Sequence, residues 1–71
     1  MPFIKYISDG RKNPEVKIAV SMNKGASWKE VILKAGQSYP IPPNVTNLLI
    51  DKVPYDPKIN FTIRNGNVSK G

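Results

Sequence analysis

Apolar and polar residues alternate with a period of two along much of this chain. In "VKIAVSM" (16–22) Val16, Ile18, Val20 and Met22 fall on one side, and Lys17, Ala19 and Ser21 on the other. In "INFTIR" (59–64) Ile59, Phe61 and Ile63 alternate with Asn60, Thr62 and Arg64. A period of two marks a strand with one buried face. "FIKYIS" (3–8) places β-branched and aromatic residues around Lys5, which suits an edge strand. "WKEVILK" (28–34) and "VTNLLI" (45–50) predict further strands. Ser27, with Glu30 three positions on, has the pattern of a helix cap. The segment is short before Ala35-Gly36, however, and its Val31-Ile32 pair favours strand.

Turn signals separate these runs. "DGRKNPE" (9–15) contains Asp-Gly and Asn-Pro, and "NKGAS" (23–27) has the length and glycine of a hairpin loop. Asn65-Gly66 is the strongest short hairpin signal, predicting a type I′ turn and a return strand over 67–69. "KAGQSYPIPPN" (34–44) carries Pro40, Pro42 and Pro43. Each fixes φ and removes an amide donor, which a central strand does not tolerate. The stretch therefore predicts an extended crossover between sheets. Tyr39 and Ile41 turn into the core, and the prolines keep the segment from pairing with a neighbour. "DKVPYDP" (51–57) predicts a second proline bend. The whole, 1–71, reads as a single β domain: all-β, a small antiparallel β-sandwich or barrel of about six to seven short strands.

Composition narrows the function. At 71 residues the core is modest, and no cysteine is present to staple it. With no histidine either, a Cys/His metal site is impossible. Small domains without these devices often gain stability by docking or oligomerising, so a homo-oligomer is one expectation. Nine Lys and two Arg against five acids give a net charge of +6. That balance suits solubility first and an acidic partner second. The start of the chain has no secretory h-region, and no run reaches the roughly 20 apolar residues of a membrane helix. The expected location is cytoplasmic, with no membrane partner. The sequons at Asn44, Asn60 and Asn67 are chance matches on this reading.

Catalysis is not expected. Asp51 and Asp56 flank proline bends, where Asp is ordinary turn chemistry. No histidine can act as a base near neutral pH, no serine lies in a nucleophile elbow, and the glycines form no phosphate loop. Catalytic, metal and cofactor sites are all read as absent. Contact residues remain. Phe61 belongs to the core. Trp28 suits either a core anchor or an exposed contact, and core is favoured because so small a domain needs its indole buried. Trp28, Tyr39, Ile41 and Tyr55 are the candidate partner-binding residues, with Tyr39 and Tyr55 placed at proline bends. Lys24, Lys29 and Arg64, next to the hairpin turns and Trp28, are the candidate polyanion contacts.

The stretch "WKEVILKAGQSYPIPPNVTNLLI" carries the order L-x-A-G-x-S-Y-x-I-P between two strands, and "NFTIRNGNV" closes the chain. In these features, over roughly residues 28–68, it resembles small β-sandwich virion proteins of tailed bacteriophages, such as capsid decoration or cement proteins and head–tail accessory proteins. The resemblance implies a non-catalytic protein bound in many copies to a capsid, located in the virion. It assigns no individual functional residues. The expectation is a structural or interaction module docking on a larger assembly. The alternative is a small OB- or SH3-like nucleic-acid binder, and a small inhibitor of a host enzyme fits the same residues as the first reading.

Overall fold

The computed structural model describes residues 1–7, 15–64 and 67–71. Among them are eight strands and no helix: β1 (Phe3–Ile7), β2 (Glu15–Ser21), β3 (Lys29–Lys34), β4 (Ser38–Pro40), β5 (Asn47–Ile50), β6 (Val53–Tyr55), β7 (Phe61–Arg64) and β8 (Asn67–Lys70). They form two four-stranded sheets, ordered β4-β1-β7-β8 (sheet A) and β3-β2-β5-β6 (sheet B). Every pairing is antiparallel except β1 with β7, which is parallel. The all-β class follows directly from the alternation in the sequence.

The inner faces meet in one core. Sheet A contributes Ile4, Tyr6, Phe61 and Ile63; sheet B contributes Ile18, Val20, Leu33, Leu48 and Ile50. Ile41 and Val45, from the proline-rich connection, are buried with them. Fully burying side chains of this size is worth about 1.5–3 kcal/mol each, the main favourable term available to a domain this small. The Tyr55 ring meets Phe61 edge-on, centroids 5.2 Å apart and planes at 68°, and so ties β6 of one sheet to β7 of the other.

The crossover is as expected in path: the chain leaves sheet B after β3, visits sheet A as β4 and returns to sheet B as β5. The prolines do not prevent pairing, however, since Phe3, Ile4 and Lys5 pair with Pro40, Tyr39 and Ser38. Pro40 is accommodated because β4 is an edge, so its missing donor interrupts no ladder on the open side. Ile41 then donates its amide to Pro2 O at 2.8 Å.

Four other expectations need correction. β1 is central, flanked by β4 and β7; its Lys5 lies on the solvent face and marks no edge. Residues 51–57 hold a strand, since Ile50 pairs with Val53 across Asp51 and Lys52, both with positive φ (51° and 68°). Positive φ at both central residues is the type I′ requirement, here met without glycine. Met22 is 50% exposed while Ser21 is buried, so the alternation of β2 stops one residue early. Trp28 is 43% exposed and lies outside the core; Phe61 and Ile41 supply the large buried side chains instead. Of the predicted 9–15 loop only Glu15 is described, and it opens β2. The Asn65-Gly66 turn lies outside the described residues, although Arg64 does pair with Asn67 as a hairpin there would require.

Candidate functional site

Loop 22–28, between β2 and β3, is held by side chains rather than by a backbone ladder. The buried Ser21 hydroxyl accepts the amides of Gly25 (2.7 Å) and Asn23 (3.3 Å) and donates to Asn23 Oδ1 (2.9 Å). Asn23 Oδ1 also accepts the Ser27 amide at 2.9 Å, and Asn23 Nδ2 donates to Ser27 Oγ at 2.9 Å. On the far side Thr46 Oγ1 accepts the Lys24 amide at 2.9 Å and donates to Ser21 O at 3.1 Å. Serine, asparagine and threonine are suited to this, because their short side chains reach the local backbone.

These bonds impose unusual backbone angles, φ 60° at Lys24 and 90° at Gly25. A Cβ on Gly25 would stand 3.5 Å from Trp28 Cζ2, so the indole rests over the glycine. Asn44 Nδ2 donates to Met22 Sδ at 3.0 Å, and Lys58 Nζ donates to Pro43 O at 3.0 Å. The outcome is a braced tip built from 22–28 and 43–46. It presents Met22 and Trp28 to solvent, with Lys24 its one charged side chain and Lys29 and Glu30 following on β3. Rigid presentation of large apolar side chains lowers the entropy lost on binding.

The sequence candidates do not form one surface. Trp28 and Lys24 lie in the tip, with Lys29 adjoining. Arg64 is level with Ile7, at the end of β1 remote from Phe3, and Phe3 is where the chain from Pro40 and Ile41 enters the tip region. Arg64 is thus apart from both lysines. Tyr55 is half-buried on β6, the edge of sheet B opposite β3, with its ring against Phe61. Tyr39 is half-buried opposite Ile4, and desolvation raises its phenol pKa above the ordinary 10.0. Ile41 has no exposed surface and cannot serve as a contact; its other predicted role, in the core, is the one it has. Sequence reasoning missed Met22, whose place in the alternation pointed inward, and the bracing set Ser21, Asn23 and Thr46. The Ser-x-Asn spacing was the available signal.

A shallow depression on the outer face of sheet B is lined by Lys17, Ala19, Glu30, Leu49 and Lys52, with Lys17 Nζ 3.4 Å from Glu30 Oε2. Among the described residues no group of three or more metal-ligating side chains comes together, and no helix is long and apolar enough to cross a membrane. No family model, curated protein or solved structure matches the chain.

Proposed function

We propose that this protein is a non-catalytic docking module that attaches through the 22–28 tip to a larger assembly, the phage capsid implied by its sequence resemblance being the leading one. One observation carries the reading. A domain with a small core leaves its single Trp in solvent, on a loop locked by side-chain hydrogen bonds from Ser21, Asn23 and Thr46. Side-chain bonds of this kind are common in turns, and where the loop carries an exposed aromatic they also raise the affinity of a contact by holding it in place. Lys24 in the tip and Lys29 beside it favour an acidic partner surface and speed its approach.

The test is particle binding. Capsids assembled with wild-type protein should retain it through sedimentation, and Trp28→Ala should reduce retention by about tenfold or more, as expected of an aromatic anchor. Equal retention of the two would overturn the tip as the docking site.

A second reading, nucleic-acid binding, has its own support. The strands of sheet A carry Lys5, Arg64 and Lys70 and no carboxylate. Binding to single- or double-stranded DNA at about 50 mM salt that falls steeply as salt rises would favour it over docking.

A further inference from the structure

We infer that the open edge of β3 pairs with β3 of a second copy about a two-fold axis centred on Ile32, joining two sheets B into one continuous sheet. Each step comes from the register. Lys17 O accepts the Asp51 amide at 2.9 Å, so the backbone groups of Lys17 face β5. Ile32 lies directly opposite Lys17 on β3. In an antiparallel ladder the N–H and C=O of Ile32 must then point away from β2, and those of Glu30, two residues earlier, do the same. Among the described residues, Ile32 and Glu30 therefore offer unpaired backbone groups along the edge.

β3 is the edge best suited to this. β4 and β6 are three-residue strands containing Pro40 and Pro54, and β8 has four residues. β3 has six residues and no proline. Prolines and shortness are the usual means of blunting an edge, and charged side chains are another. Here the charges are arranged to attract. Glu30, Ile32 and Lys34 share the outer face of sheet B, where Ile32 is 47% exposed.

A two-fold axis perpendicular to the sheet keeps outer residues opposite outer residues. Centring it on Ile32 sets Ile32 against Ile32 of the second copy, and Glu30 against Lys34 of the second copy, twice over. Centring on Val31 would put Glu30 against Ile32, and centring on Leu33 would put Lys34 against Ile32; both place a charge opposite an apolar side chain. Only one register satisfies the outer face, and the interface is isologous, as a two-fold dimer requires. The Lys34 amide now donates to Gln37 Oε1 at 3.0 Å, a side-chain partner that the second copy's Glu30 carbonyl can replace, and the Lys34 carbonyl, which accepts the Gln37 amide at 3.0 Å, has a second lone pair for the second copy's Glu30 amide. Strand pairing alone gives a small interface, so the dimer is a weak one.

Sedimentation velocity across a concentration range of roughly 10 µM to 1 mM tests this, with thermal melting to confirm that each variant is folded. The wild type should pass from monomer to dimer. Lys34→Glu should weaken dimerisation by about tenfold, by setting Glu30 against a like charge on each side of the axis. The double variant Glu30→Lys with Lys34→Glu should restore it, because the swapped pairs attract again, although each chain gives up its Lys17–Glu30 ion pair and should melt lower. The Ile32 amide should show hydrogen exchange that slows as concentration rises. A protein that stays monomeric throughout, or a dimer indifferent to Lys34→Glu, would overturn the proposal, the latter pointing to another edge or face. Particle retention through Trp28 is a separate readout, and Lys34→Glu should leave it unchanged.

Discussion

Ser21 Oγ accepts the Gly25 amide at 2.7 Å from a position with almost no solvent access, at the point where β2 stops and the tip begins. Removing that hydroxyl leaves the Gly25 and Asn23 amides without their acceptor and takes away a donor to Asn23 Oδ1. Ser21→Ala should cost about 1 kcal/mol, the typical net value of a hydrogen bond, since water can reach the Asn23 amide that is left. Trp28 emission should shift to the red as the indole loses its seat over Gly25. An unchanged melting midpoint together with unchanged emission would show that the hydroxyl does not brace the loop.

The Asp51–Lys52 turn carries strain that glycine would relieve. Lys52 holds φ at 68°, where a Cβ is unfavourable by about 1–2 kcal/mol. Lys52→Gly recovers part of this and loses some through the greater freedom of the unfolded chain. The net expectation is a melting midpoint about 4 °C higher. A lower midpoint would mean that the Lys52 side chain, which borders the depression on sheet B, stabilises more than its backbone strain costs.

Ile41 tests the core role directly. It has no solvent access, and Ile→Ala in such a site costs about 2–5 kcal/mol. A domain of this length has a total stability of roughly 4–11 kcal/mol, so the loss is a large share of it and the urea midpoint should fall steeply. A loss under about 1 kcal/mol would be that of a surface residue.

Tyr39 contributes to the pH dependence of stability on the alkaline side. Its phenol pKa in the folded state is raised above 10.0 by desolvation. The folded protein then holds this proton above pH 10 more tightly than the unfolded chain does. The contribution is therefore complete below about pH 10 and is lost as pH rises through the folded value. Tyr39→Phe should flatten the fall in melting midpoint on the alkaline side of pH 10 while leaving neutral pH little changed. An identical alkaline fall in both proteins would assign it to other groups.

The residues by themselves determined the fold class, because a period of two in 16–20 and 59–63 admits only strands with one buried face. They determined the crossover as well, since no central strand accepts Pro40, Pro42 and Pro43 together. The same reading misplaces Trp28, favouring the core on the ground that so small a domain needs its indole buried, whereas it is 43% exposed. The tertiary structure decided what depends on partners distant in sequence. β1 is central because β4 and β7 flank it, a fact invisible in "FIKYI". Val53–Tyr55 is a strand because β5 offers it a ladder across a turn whose Asp-Lys pair gives no local sign of positive φ. Met22 and Trp28 are exposed because Ser21 and Thr46, 25 positions apart, bond to each other and fix the tip. Local periodicity reports which face of a strand is buried; which strands are neighbours, and where a loop is pinned, depends on long-range contacts that no window of sequence contains.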